Sequence, residues 1–181
     1  MKTQNQTMLS ENTLTSRPTD IIAGFPVRPG FFELNGATPL SNGVNFTTHT
    51  RHGTSCELLL FHSGEEEPFA VLPFPNACRI GDVYSMIVMG LVIEDLEYGY
   101  RIDGPYEPEK GHIFDKTKVL LDPYAKAVAG QREWGQQKIG SYHARVVRDS
   151  FDWEDMPQST RKISDLSLIH ISEPTRPISI S

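Results

Sequence analysis

The chain has 181 residues, of which 38% are hydrophobic and 22% charged, a composition that supports one packed domain with tails. Its formal net charge is −6, so there is no excess of basic side chains to neutralise phosphate groups. These values argue against a protein that binds nucleic acid or an anionic membrane, and they are compatible with a neutral ligand such as a sugar.

The first 20 residues are polar and carry no periodic apolar pattern. They bury too little apolar surface to offset the loss of chain entropy, so we predict a disordered tail over residues 1–20. They also contain no apolar run typical of a signal peptide, and no stretch of the sequence reaches transmembrane length. We therefore expect a cytoplasmic protein that does not bind membranes.

From Ile21 onward, short β-rich runs alternate with turns of Gly, Pro, Asn and Asp. The runs have either apolar residues at every second position or a continuous apolar stretch of strand length. They are GVNFTTHT (43–50), SCELLLFH (55–62), PFAVLPF (68–74), DVYSMIVMGL (82–91) and LEYGYRID (96–103). Pro68 and Pro73 favour a sheet edge for the third run. Tyr98 and Tyr100, at period two in the last run, are typical of core positions.

This spacing of short strands, without a long amphipathic helix, predicts an all-β fold, an immunoglobulin-like β-sandwich over residues 21–147. The exception is DPYAKAVAG (122–130), where Asp122 suits a cap, Pro123 the first helical position and Gly130 a helix end. We predict one short helix there. Residues 148–165 are charged and lack strand alternation, so we expect an exit linker followed by an irregular C-terminal tail.

No segment carries a catalytic motif. Glycoside hydrolysis needs two carboxylates that face one cleft, but the acidic clusters at 65–67 and 152–155 lie in predicted loops and are more simply solvated charge. Neither a G-x-S-x-G nucleophile elbow nor a phosphate-binding loop is present. We therefore assign no catalytic residue and no cofactor.

Metal and thiol chemistry are equally unsupported. His49 and His52 are close in sequence, but no further His, Cys or acid completes a recognisable ligand set, so we predict no metal site. Cys56 lies in an apolar run and Cys78 in a turn-rich segment, and we predict that both are reduced thiols.

Two aromatic residues outside the predicted strands are candidates for carbohydrate binding, Tyr106 and Trp134. An aromatic face can stack on a sugar ring while neighbouring polar groups bond its hydroxyls. A packing role is the alternative for both.

Two long blocks resemble the start of isoamylase-type glycogen debranching enzymes. They are NGATPLSNGVNFTTHTRHGTSCELLLFH (35–62) and YGYRIDGPYEPEKGHIFDKTKVLLDPYAKAVAG (98–130), and the resemblance extends from about Phe25 to Trp153. It implies a carbohydrate-binding module of family 48 that precedes a (β/α)8 barrel of glycoside hydrolase family 13. The barrel would supply the catalytic carboxylates, and no barrel block is present, so no catalytic residue is carried over.

The resemblance also implies partners and roles. An α-glucan such as glycogen, starch or a maltooligosaccharide would be the partner of the intact enzyme, and the module would pack on the missing barrel. Arg101, Asp103, Asp122 and Tyr124 would brace turns or meet that domain. Two alternatives remain: a free-standing glycan-binding or regulatory module, and an interaction domain with no glycan role.

The end of the sequence departs from the family pattern. The peptide LSLIHISEPTR (166–176) is similar to an in-frame translation of a transposon-end sequencing adapter. We therefore expect residues 166–181 to be a non-native tail and the natural protein to be longer. The alternative is a genuine amphipathic tail that forms a short strand.

Overall fold

The computed structural model describes residues 17–130 and 142–148. These residues form thirteen strands and two one-turn 3-10 helices, Asn76–Cys78 and Pro108–Lys110. The strands are β1 Asp20–Ile22, β2 Phe25–Pro29, β3 Gly36–Leu40, β4 Gly43–His49, β5 Ser55–His62, β6 Ala70–Pro73, β7 Arg79–Ile80, β8 Val83–Met89, β9 Leu96–Asp103, β10 Tyr106–Glu107, β11 His112–Ile113, β12 Ala127–Ala129 and β13 His143–Arg145. Within this part of the chain, no helix is long and apolar enough to cross a membrane.

Two antiparallel sheets pack face to face. The first has the order β1–β2–β8–β4–β3, with β7 also paired to β8, and the second has the order β12–β13–β9–β5–β6. Phe46 of the first sheet contacts Tyr98 of the second, with ring centroids 5.1 Å apart. The predicted all-β sandwich is therefore confirmed.

Alternate residues of the strands fill the space between the sheets. On β5 and β9 the core-facing residues are Cys56, Leu58, Leu60, Leu96, Tyr98, Tyr100 and Ile102, which share one buried cluster with residues of β4 and β8. Burial of this apolar surface is the main favourable contribution to folding, at about 25 cal/mol per Å². Both cysteines are buried within it as free thiols, as predicted.

All five predicted strand runs are present, as β4, β5, β6, β8 and β9. The bounds of β5 and β9 coincide with the runs 55–62 and 96–103. Strand β6 is the terminal strand of its sheet, a position that tolerates Pro68 before the strand and Pro73 at its end. The first strand begins at Asp20, next to the predicted domain boundary.

The helix predicted over 122–130 is wrong. The Asp122 carboxylate accepts a hydrogen bond from the Tyr124 N–H (2.9 Å), and its carbonyl accepts one from the Ala125 N–H (3.1 Å), so the cap signals produce a single turn. The chain then continues as β12, which pairs with β13. Pairing with a strand supplies the backbone hydrogen bonds that so short a helix cannot.

Several predictions concern parts of the chain outside the described residues. They include most of the N-terminal tail, Trp134, the linker from residue 149 onward and the tail over 166–181. These remain predictions.

Candidate interaction face on the β10–β11 hairpin

Exposed apolar side chains concentrate in residues 106–128, here called the apolar segment. Its exposed large hydrophobic residues are Tyr106, Ile113, Leu120, Leu121, Tyr124 and Val128. The rest of the described chain adds only Ile21, Phe69, Ile80 and Val92. The apolar segment is therefore the part of the described surface with most apolar side chains available to a partner.

The β10–β11 hairpin presents the most exposed pair. Gly111 closes its turn in the left-handed conformation (φ 81°), directly after the 3-10 helix that Pro108 begins. Tyr106 lies opposite Ile113 in the strand register, and directly opposed residues project from the same side of a hairpin. Their exposed fractions are 71% and 69%. We call this pair the hairpin face.

A cavity of about 230 Å³ lies beside the hairpin face. Its lining is mostly apolar and consists of Ile102, Gly111, Ile113, Phe114, Asp115, Lys118 and Leu120. The two charged residues of the lining are already paired, since Lys118 Nζ lies 3.6 Å from Asp115 Oδ2. Asp115 also accepts hydrogen bonds from the hydroxyl and backbone N–H of Thr117, which hold its pKa below the usual range. The cavity therefore suits an apolar side chain or a sugar ring better than an ion.

Backbone pairing with β9 fixes the middle of the apolar segment. Leu120 and Tyr100 exchange two backbone hydrogen bonds of 2.7 and 2.9 Å. The Val119 side chain lies over Gly99, where a Cβ atom would be only 2.6 Å from Val119 Cγ1. Only glycine at position 99 lets the segment approach this closely.

A buried hydrogen bond ties the end of the segment to the core. The Tyr98 hydroxyl donates to Asp122 Oδ2 at 2.7 Å, and both side chains are almost completely buried. Burial raises the pKa of Tyr98, and the neighbouring Asp122 carboxylate raises it further. Burial also raises the pKa of Asp122.

The other residues predicted to brace turns lie near the segment. Arg101 on β9 places Nη1 3.6 Å from Glu57 Oε2 on the neighbouring strand. Asp103 accepts a hydrogen bond from the Gly104 N–H (2.9 Å) at the end of β9. Tyr124 is half-exposed and packs close to Gly36, whose φ of 79° needs glycine. These positions fit a bracing role, which remains a prediction.

Of the two residues predicted to bind carbohydrate, Tyr106 is exposed, as a ligand contact requires, and Trp134 lies outside the described residues.

Sequence reasoning missed a buried polar cluster on the outer side of the second sheet. Glu97 Oε2 lies 3.2 Å from His143 Nδ1, and the Ser63 hydroxyl donates to Glu97 Oε1 at 3.1 Å. The carboxylate stands between the serine and the histidine, so His143 cannot act as the base for this hydroxyl. The cluster ties β13 to β9. The available signal for it was Glu97, an acidic residue between the apolar residues Leu96 and Tyr98.

No set of three or more His, Cys, Asp or Glu side chains in residues 17–130 and 142–148 is arranged to hold a metal ion.

The family model described as carbohydrate-binding module 48 (isoamylase N-terminal domain) matches residues 35–125. The chain belongs to this family. The match runs from the turn before β3 to the turn after Asp122, so it includes the hairpin face and most of the apolar segment.

Longer enzymes contain a similar region. Isoamylase 3, chloroplastic, from Oryza sativa subsp. japonica is 35% identical over 131 residues, which is 66% of this chain and 17% of the relative. The glycogen debranching enzyme of Salmonella typhi is 36% identical over 134 residues, which is 67% of this chain and 20% of the relative. The chain therefore spans a fifth or less of the length of these two relatives.

Among solved structures, a pullulanase from Paenibacillus barengoltzii in complex with maltohexaose and alpha-cyclodextrin aligns with a TM-score of 0.46 and 17% identity. The alignment covers 64% of this chain and 15% of the pullulanase. A likeness at this level carries no argument about function.

Proposed function

We propose that the chain is the non-catalytic N-terminal module of an α-glucan debranching enzyme of glycoside hydrolase family 13. In the intact protein, a (β/α)8 barrel would hydrolyse α-1,6-glucosidic branch points. The family supports this proposal, as do relatives named isoamylase and glycogen debranching enzyme, which align over only 17–20% of their length.

The observation that carries the proposal is the exposed apolar segment. A large apolar side chain is stabilised by about 1.5–3 kcal/mol when it moves from water into a packed interface. The exposed pairs Glu107–Lys110 (2.9 Å) and Asp115–Lys118 (3.6 Å) flank the hairpin face with ion pairs. An apolar centre beside a polar rim is typical of a protein interface. We infer that the hairpin face packs against the catalytic domain of the same polypeptide.

The buried carboxylates of the described residues are engaged within the fold. The only buried carboxylates of these residues are Glu97 and Asp122. Each already accepts hydrogen bonds within the fold, from Ser63 and Tyr98 respectively. Retaining glycosidases need two carboxyl groups about 5–5.5 Å apart that face one cleft. The catalytic carboxylates would therefore come from the rest of the enzyme, and the 181-residue chain should be inactive.

The first test is a long read of the genomic locus through the codon for Asp165. An open frame that continues as a barrel strand is the expected result, and the protein it encodes should hydrolyse branch points in amylopectin. Intact DNA that encodes LSLIHISEPTRPISIS followed by a stop codon would overturn the proposal.

The second test addresses the interface in that longer protein. Ile113→Lys should lower the thermal stability of the catalytic domain, because it places a charge in the apolar contact. Ile80→Lys is the matched control, since Ile80 is similarly exposed (62%) but lies on β7, outside the apolar segment. Equal effects of the two substitutions would contradict a docking role for the hairpin face.

A second candidate function is direct contact with α-glucan, as a free-standing glycan-binding or regulatory module. The exposed Tyr106 ring favours it, because Tyr106 lies opposite Ile113, which lines an apolar cavity. The 181-residue chain would then be retarded in native gels that contain glycogen, and Tyr106→Ala would abolish the retardation. Unretarded migration of the wild-type chain would remove this candidate.

A further inference from the structure

Two histidines from distant parts of the sequence meet at the surface. The rings of His52 and His112 have centroids 4.6 Å apart and planes inclined at 61°. His52 is exposed and His112 is half-buried, so solvent ions reach the pair. The sequence spacing drew attention to His49 and His52, but the fold brings His112 to His52 instead.

The backbone on both sides holds this arrangement. His52 lies in the turn between β4 and β5 with a φ of 69°, a left-handed conformation that histidine tolerates better than most residues. The next residue, Gly53, is buried and its carbonyl accepts hydrogen bonds from Arg79 Nη2 (3.2 Å) and the Tyr84 hydroxyl (3.4 Å). The turn that carries His52 is therefore anchored to β7 and β8.

His112 belongs to β11 and lies opposite Glu107 in the hairpin. Successive residues of a strand point to opposite sides, so His112 projects away from the side that carries Tyr106 and Ile113. The hairpin thus rests on the His52 turn with one side and presents the hairpin face with the other.

We propose that His52 and His112 form an open two-histidine site for a divalent transition metal such as Cu²⁺, Ni²⁺ or Zn²⁺. Imidazole nitrogen suits these ions, and metal–nitrogen bonds are about 2.0–2.1 Å long, so two nitrogens on one ion lie about 3 Å apart. Ring centroids 4.6 Å apart bring the two imidazoles close enough for one ion to bridge them. Water completes the coordination, because no third ligating side chain of the described residues joins the pair.

A bound ion links the His52 turn to the hairpin and so stiffens the support of the hairpin face. The ion binds only the folded arrangement, and it must therefore stabilise the fold in proportion to its concentration. This inference does not depend on the proposed enzyme, since it concerns only residues of the module.

The test titrates Ni²⁺ and then Cu²⁺ into the 181-residue chain by calorimetry. We expect one equivalent of either ion to bind, Cu²⁺ more tightly than Ni²⁺, and the melting temperature to rise with metal concentration. His52→Asn removes the imidazole but keeps a residue that tolerates the left-handed conformation. His112→Phe keeps a ring against His52 but removes the nitrogen that would bind the metal. His112→Gln replaces it in the test if the phenylalanine variant folds poorly. Each variant should lose at least about tenfold in affinity, as expected when the coordination sphere of a metal is disturbed.

His49→Asn is the matched control, because His49 is exposed three positions from His52. It should bind with wild-type affinity. Absence of binding to the wild-type chain would overturn the proposal, as would wild-type affinity in either the His52 or the His112 variants. Equal losses in all the variants, the control included, would indicate an adventitious ion only and would overturn it as well.

Discussion

Tyr98 and Tyr100 are neighbours on the core face of β9, but their hydroxyl groups have different surroundings. The Tyr98 hydroxyl donates to Asp122, whereas the Tyr100 hydroxyl is buried without a hydrogen-bond partner in the part of the chain that the structure describes. Their rings touch edge to face, with centroids 5.8 Å apart. Sequence periodicity placed both rings in the core, but it could not distinguish the two hydroxyls.

Tyrosine-to-phenylalanine substitutions should therefore have opposite effects at these two positions. Tyr98→Phe leaves the buried Asp122 Oδ2 without its donor and should lower the free energy of unfolding by about 1.5–3 kcal/mol. Tyr100→Phe removes an unpaired buried hydroxyl and should raise that free energy by up to about 1 kcal/mol. Urea unfolding of both variants measures the difference, and each serves as the control for the other. Similar losses of stability in both variants would contradict a paired Tyr98 hydroxyl and an unpaired Tyr100 hydroxyl.

The pH dependence of stability should report on Asp122. Burial raises its pKa in the folded chain above the ordinary value of 3.8, so the folded chain binds this proton more tightly than the unfolded chain does. The stabilisation that the protonated group contributes is complete below pH 3.8 and is lost as the pH rises through the raised pKa. Asn at position 122 does not titrate.

The free energy of unfolding of wild type minus that of Asp122→Asn should consequently decrease as the pH rises from 3.8. Urea unfolding of both proteins over a pH series measures this difference. The contributions of the carboxylates that both proteins share cancel when one free energy is subtracted from the other. A difference that stays flat or increases with pH would show that the Asp122 pKa is not raised by folding.

At the scale of elements, β9 organises the second sheet and the apolar segment together. It pairs with β5 along its whole length on one side, and with β13 and Leu120 on the other. The sequence predicted the bounds of β9 and the side chains of its core face. It did not predict that Val119 would lie over Gly99, because that contact depends on how residues 104–118 return to the strand.

Gly99→Ala tests this contact. The new Cβ would lie 2.6 Å from Val119 Cγ1, so we expect a loss of about 1–3 kcal/mol in the free energy of unfolding from overpacking. Val119→Ala should recover part of that loss when combined with Gly99→Ala, although it is destabilising by itself. Thermal unfolding of the two single variants and the double variant measures the coupling, and strictly additive effects would contradict the packing.

In the first sheet, the period-two pattern also fails to predict which residues are buried. In β4 the alternation placed Val44, Phe46 and Thr48 on one face, yet Asn45 and Thr47 on the other face are also buried. Asn45 accepts a hydrogen bond from the Phe31 N–H (2.8 Å), because the loop between β2 and β3 folds over this face. A buried amide side chain is stable there because the loop backbone supplies its partners.

At the scale of the whole fold, the described part of the sandwich buries both thiols and carries most of its exposed large apolar side chains on the apolar segment. Burial raises the pKa of Cys56 to about 12 and that of Cys78 to about 11, so neither forms an appreciable thiolate near neutral pH. The family match extends over residues 35–125, and the strands on either side of it complete the two sheets. Within the described residues, the module thus combines a packed core with an exposed apolar segment.

The sequence by itself determined the fold class, the five long strand runs and the burial of their apolar residues, because the period-two pattern and the turn residues are local properties of the chain. It also indicated the family through two long motif blocks. Only the tertiary structure decided that Asp122 starts a single turn rather than a helix, that Glu97 pairs with His143, and that His112 contacts His52. These outcomes depend on which distant segments become neighbours, and no local pattern encodes that.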